Sequence, residues 1–220
     1  MKFKLVLCNL IICFFLFNCN ENVDRLITFD ENFEYSLEEF SDIEILRYDI
    51  PGWNNLTLKE QKLVYYLTQA GLSGRDIMWD QNYRHNLEIR TALQNVYFNY
   101  TGDKKSKNWM SFEIYLKRLW FSNGIHHHYS NDKIKPEFEL DYLTQILSST
   151  NTTISDDAFD VIFNDLDSKK VNIAKGIDNV LLSAVNFYGP NVTSQDVYDF
   201  YSKVKSPDPL KPLSHGLNSR

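Results

Sequence analysis

The chain opens on an apolar run and settles later into helical spacing. In "MKFKLVLCNLIICFFLF", Lys2 and Lys4 precede apolar residues from Leu5 to Phe17, interrupted at Asn9. A basic start followed by a short apolar segment is the layout of a signal peptide, too short for a comfortable transmembrane helix. The next stretch, "NENVDRLITFDENFEYSLEEF", is polar and acidic and reads as a tether. In "DIEILRY" (Asp42 to Tyr48) apolar and polar positions alternate in part, which predicts a short strand or an extended packing segment. "IPGW" (Ile50 to Trp53) marks a turn.

Helical periods follow. In "LTLKEQKLVYYLTQAGL", Thr57 and Glu60 have capping-box spacing, and Leu63, Val64, Leu67 and Ala70 make one apolar stripe. Gly71 is placed to supply a left-handed C-terminal turn. The spacing predicts one long helix from Gly74 to Tyr100, with Ile89, Leu93, Val96, Tyr97 and Tyr100 on a shared face. A third runs from Asn108 to Gly124, with Phe112, Tyr115, Leu116 and Leu119 inward and Gly124 as its stop. Shorter helices are predicted over 137–147, 156–166, 178–187 and 194–204. The end of the sequence holds Pro207, Pro209 and Pro212 and reads as an extended segment. The organisation is therefore 1–18 signal segment, 19–40 tether, 41–205 helical body and 206–220 Pro-rich end. The fold class is mainly α, with one or two short strands near the start and the end.

Cysteine usage sharpens the view of the start. Cys8 and Cys13 lie inside the apolar run, and Cys19 stands directly after it with Leu16 three places earlier. That resembles a bacterial lipoprotein signal, with Cys19 as the lipidated first residue, although Phe17 and Asn18 stand where small residues are usual. The expected location is the cell envelope, anchored to the membrane through lipid; the alternatives are a periplasmic or secreted protein and an uncleaved anchor. A body without other cysteines has no disulfide framework, thiolate nucleophile or Cys-ligated zinc.

Charge removes another class. The 23 Lys and Arg against 29 Asp and Glu give a net charge of −6. Without 1–18 the balance is 21 against 29, or −8. Nucleic-acid binding needs clustered cations, and the one dense basic stretch, "GDKKSKN" (Gly102 to Asn108), reads as a solvated loop.

Candidate chemistry centres on "WFSNGIHHHYS" (Trp120 to Ser130). Zinc needs three or four converging ligands at about 2 Å. Neighbouring side chains of an extended segment point to opposite sides, so only His126 and His128 could act together. A third ligand would have to come from elsewhere, such as His85, and no H-E-x-x-H is present. Packing at a helix-to-loop junction is the leading reading of the residues themselves, followed by substrate contact, with metal binding last. Asp76, Asp80 and Arg84 form a second cluster at i, i+4 spacing, read as helix-dipole and ion-pair partners rather than a carboxylate pair for catalysis. There is no G-x-S-x-G, P-loop or G-x-G-x-x-G, and the N-x-[ST] triplets at Asn55, Asn99, Asn151 and Asn191 read as chance.

Longer strings carry a resemblance. "EILRYDIPGWNNLTLKEQKLVYYLTQAGLSGRDIMWDQNYRHNLEIRTAL" and "YLKRLWFSNGIHHHYSNDKIKPEF" resemble the amino-terminal part of bacterial dipeptidyl peptidase III, and "PLSHGLNSR" resembles a family segment too. The family comprises two-lobed zinc metallopeptidases that release dipeptides from the amino end of oligopeptides. The resemblance implies that 41–205 is the helical part of the non-catalytic α+β lobe. It also implies an amino-terminal fragment or truncated product, inactive without the missing catalytic lobe. The zinc cofactor of the full-length family sits on H-E-x-x-G-H, which is absent here. On this resemblance Asn123, Gly124, His126, His127, His128 and Tyr129 face the substrate cleft, with His128 and Tyr129 the firmest peptide contacts. No residue of this chain is then catalytic or a metal ligand. The expected partners are a peptide substrate, the missing lobe and, through the lipid, the membrane. The alternative is a membrane-tethered, non-catalytic helical module that binds a peptide or a partner.

Overall fold

A computed structural model describes residues 30–204. The expected signal segment, Cys19, the first half of the tether and the Pro-rich end lie outside the described residues. The chain divides into two units, one comprising residues to 39 with 44–66, the other 40–43 with residues from 67 onward.

The first unit contains most of a hairpin. Strands β1 (Ser36–Phe40) and β2 (Ile43–Leu46) pair through the turn Ser41–Asp42, where Ser41 takes φ 55. A left-handed first turn residue matches the right-handed twist of paired strands, so a two-residue connection suffices. The predicted strand at Asp42 to Tyr48 is present as β2, whereas β1 lies in residues expected to be tether. Its acidic "SLEEF" does not alternate and little of it is buried, so no period of two marks it as a strand. Arg47 fastens the hairpin base: its Nε donates to the Glu34 carbonyl at 2.6 Å and its guanidinium lies over Phe33.

Helix α1 (Leu58–Ser73) begins at the expected capping box. The Thr57 N–H donates to Glu60 Oε2 at 2.7 Å, and the Glu60 N–H returns to Thr57 Oγ at 3.4 Å. One expectation fails beyond that cap. Gly71 is not a left-handed stop; the helix runs on to Ser73, and the chain turns where the Gly74 N–H meets the Gly71 carbonyl. The stripe of Leu63, Val64, Leu67 and Ala70 is left uncovered, since no residue of α1 is buried. Periodicity identifies an apolar face but does not supply the surface that covers it.

The second unit holds the core. Its helices are α2 (Arg75–Asn82), α3 (Asn86–Asn99), α4 (Lys107–Ser122), α5 (Leu140–Ser149), α6 (Asp156–Phe163) and α7 (Ser194–Lys203). Leu93 and Val96 of α3 meet Phe112, Leu116 and Leu119 of α4, Leu143 and Ile146 of α5, and Ala158 of α6, all with no exposed surface. Each such large side chain is worth about 1.5–3 kcal/mol of burial before chain entropy is subtracted. The expected faces of α3 and α4 are thus the observed ones. Ser106 caps α4 by accepting the Trp109 N–H, and Trp109 stacks on Tyr100 at 4.6 Å.

The long helix expected from Gly74 to Tyr100 is two. It breaks at Tyr83, whose φ of −171 drives the ring into the core, and restarts at Asn86. Arg84 therefore lies past the end of α2 and does not pair with Asp80; it approaches Asp167 at 3.9 Å, while Arg90 pairs with Asp76 at 2.8 Å. The helix expected over 178–187 is absent. There Asp178 accepts the N–H groups of Val180, Leu181 and Ser194, a turn-forming pattern that competes with a helical ladder. Among the described residues the chain is mainly helical with one small sheet, no strand follows β2, and no helix is long and apolar enough to cross a membrane.

Candidate functional site

The histidine loop is built from the end of α4. Asn123 closes the helix in the left-handed conformation (φ 52) and Gly124 follows at φ 146. The expected stop at Gly124 is therefore a two-residue device. Asparagine tolerates the first conformation; only glycine adopts the second without strain. Space imposes the same choice: a Cβ on Gly124 would stand 2.1 Å from Asn86 Nδ2.

Asn86 is the hub of this junction. It has no exposed surface, accepts the Ile125 N–H at 3.1 Å and donates to the Trp79 carbonyl at 3.1 Å. Asn82 donates to the Asn123 carbonyl at 2.9 Å. The segments "DQNYRHN" and "SNGIHHH", distant in sequence, are thus clasped together by two amides. The break after α2 acquires a reason, since it frees Asn86 to turn inward.

From Ile125 the chain folds back on itself. The Ile134 N–H donates to the Ile125 carbonyl and the His127 N–H to the Asp132 carbonyl, both at 2.7 Å. A second strip, 167–170, lies alongside: the Lys133 N–H donates to Ser168 O and the Lys170 N–H to Asn131 O, at 2.9 and 2.8 Å. Lys133 then closes the base. Its ammonium donates to the carbonyls of Val161, Asn164 and Leu166 and to Asn164 Oδ1. A cation at the carbonyl end of α6 is well placed against the helix dipole. Burial lowers the Lys133 pKa, but the four acceptors give its charge a fixed structural role.

The three histidines have separate fates. His126 is buried, and its Nε2 donates to the Asp167 carbonyl at 2.7 Å, since a carbonyl can only accept. Asp167 also accepts from the Tyr83 hydroxyl at 2.7 Å. Burial holds the His126 pKa below the usual value, aided by Lys133 and Lys170 and opposed by the Asp167 contacts, so the ring is neutral. His127 accepts the Tyr129 and Ser130 N–H groups on Nδ1 at 3.2 and 3.1 Å, which leaves its proton on Nε2. That nitrogen faces Asp42 at 3.7 Å. His128 is exposed, stands edge-on to Phe121 at 4.8 Å and to Tyr129 at 5.9 Å, and Tyr129 is 85% exposed.

Thus Asn123, Gly124 and His126 form a buried root, His127 a hinge, and His128 and Tyr129 a solvent-facing tip. His126 Nε2 is engaged by the Asp167 carbonyl and His127 Nδ1 by the Tyr129 and Ser130 N–H groups. Among the described residues no three His, Cys, Asp or Glu side chains converge as ligands. Sequence reasoning missed Asn82, Asn86, Lys133 and Asp167, whose spacing to the loop in sequence follows no short motif. The positive φ at Asp167 (48) is of the kind that Asp adopts readily, and no pattern around it marked it out.

No protein-family model matches this chain, and no curated protein matches it significantly.

Proposed function

We propose that this chain is the amino-terminal, non-catalytic lobe of a dipeptidyl peptidase III-like zinc metallopeptidase, and that it contributes a peptide-contacting wall without hydrolysing peptides itself. The observation that supports it most is the division of the histidine loop. A root fixed by Asn86, Asp167 and Lys133 presents Phe121, His128 and Tyr129 as an aromatic surface in solvent. Rigid aromatic side chains on a braced loop suit recognition of an extended peptide, because little ordering entropy remains to be lost on binding. The string resemblance supplies the family. The unburied apolar face of α1, with Leu63, Tyr66, Leu67 and Leu72 exposed, is consistent with a lobe that packs against further protein. Zinc would belong to that further protein, since H-E-x-x-G-H is absent from the 220 residues.

The experiment is a titration of short peptides into the chain and into a His128→Ala, Tyr129→Ala double variant. Binding by the wild type and its loss in the double variant is the expected result, together with no cleavage of dipeptidyl-arylamides in added zinc. Cleavage with stoichiometric zinc would overturn the non-catalytic assignment. No binding by the wild type would overturn the peptide wall and with it the tethered binding module.

A further inference from the structure

Beside the hinge of the loop lies a cleft of about 170 Å³ lined by Arg118, His127, Ser130, Asp132 and Lys135, among others. Most of its charges are already engaged. Asp132 is paired with Lys169, Lys135 with Asp165 at 2.7 Å, and the Lys133 ammonium is turned into carbonyls. Arg118 is different. Its Nε is buried and has no hydrogen-bond partner, and its Nη2 lies 3.9 Å from Asp42 Oδ1. The same Asp42 reaches His127 Nε2 at 3.7 Å with its other oxygen. One carboxylate thus spans two donors at distances too long for hydrogen bonds.

We propose that Arg118 and His127 form a carboxylate subsite for the bound peptide, and that Asp42 occupies it as an intramolecular competitor when no peptide is present. The proposal rests on the peptide-contact reading above and names the group recognised. A planar guanidinium matches a planar carboxylate, and a ligand that closed the distance to Arg118 Nη2 and His127 Nε2 would gain charge-assisted bonds that Asp42 does not make. The occupant is indicated by what sits there: a carboxylate already faces both donors. Asp42 lies on a two-residue turn, where it can be displaced without unpacking a helix.

The test uses the full chain, titrated calorimetrically with tetra-alanine as the free acid and as its carboxyl-terminal amide. The acid is expected to bind about 10-fold more tightly than the amide, a fold-change within the range of one charge-assisted pair. Asp42→Asn should tighten the acid several-fold and leave the amide unchanged. Arg118→Gln should erase the preference, and Arg118→Lys, which keeps the charge but loses the fork, should retain part of it. Circular dichroism checks that the Arg118 variants fold; if they do not, the Asp42→Asn result decides alone. Equal binding of acid and amide by the wild type would overturn the subsite while leaving the peptide wall standing. An Asp42→Asn variant with unchanged acid affinity would overturn the competitor. Failure of both peptides to bind would instead remove the peptide reading itself.

Discussion

The root and the tip of the histidine loop share one string of sequence and live under opposite rules. Ile125 and His126 have at most 1% of their surface exposed, whereas Tyr129, three residues beyond His126, has 85%. The root is tied to distant parts of the chain: Asn86 to Ile125, Asp167 to His126, and the carbonyls around Asn164 to Lys133. At the tip, His128 meets Phe121 and Tyr129 edge-on. The difference teaches that three adjacent histidines need not share a role. The first holds the loop, the second accepts the N–H groups of its turn, and the third faces solvent.

The sharpest way to break the contrast is to add one carbon at Gly124. Gly124→Ala imposes a strained φ and pushes into Asn86, whose amide cannot move without releasing Ile125 and Trp79. Strain and overpacking together are expected to cost about 3–5 kcal/mol. Chemical denaturation should show a large drop in midpoint, and a midpoint within error of the wild type would mean that Asn86 does not lock the root. Asn86→Ala comes next. It leaves the buried Ile125 N–H without a partner and takes one of two donors from the Trp79 carbonyl, which keeps the Tyr83 N–H, at about 2–3 kcal/mol. Lys133→Met should follow at about 2 kcal/mol, because the methionine fills the space but leaves the carbonyls of Val161 and Leu166 without a donor.

How much of this was legible beforehand follows from the kind of interaction. The faces of α3 and α4 were readable because burial there has the helical period, as Ile89, Leu93 and Val96 show. The cap at Thr57 was readable because its partner is three residues away. The exposure of α1 was not legible: Leu63 and Leu67 have the helical period, yet nothing local states whether they are covered. The break at Tyr83 was missed because its cause is tertiary, a hydroxyl reaching Asp167 more than eighty positions on. The expected helix over 178–187 had apolar spacing, and the Asp178 carboxylate outweighed it by capturing three backbone N–H groups. Within the site, the loop was found by its composition, while Asn86, Lys133 and Arg118 became visible only through geometry.

Acid should act more gently on the root than substitution does. The folded His126 pKa is depressed, chiefly by burial, with Lys133 and Lys170 adding to it and Asp167 opposing. The unfolded chain therefore takes up this proton first as pH falls. The contribution is fully present above the unfolded value of about 6.5 and is lost progressively as pH drops below it toward the folded pKa. His85 and His128 are shifted the same way by burial and add to the slope. Thermal melts between pH 7.5 and pH 5 should show falling stability, and His126→Asn should flatten the profile although the variant is less stable at pH 7.5. An unchanged slope in that variant would mean that His126 does not contribute to it.

The smallest effect is expected at the tip, and there a null result on stability carries meaning. Tyr129→Ala removes a side chain with little to lose in the folded state, so the melting midpoint should shift by an amount equivalent to no more than about 0.5 kcal/mol. His128→Ala loses its edge-on contact with Phe121 and should cost slightly more, about 0.5–1 kcal/mol. If instead Tyr129→Ala destabilised the chain as strongly as Asn86→Ala, the tip would be part of the framework and the division of the loop would fail. If stability held while peptide binding fell, the exposed ring would be retained for a ligand. The small effect on stability follows from the structure, because an aromatic residue in solvent, on a loop braced at its root by a buried amide, a buried imidazole and a four-acceptor lysine, contributes almost nothing to the fold that displays it.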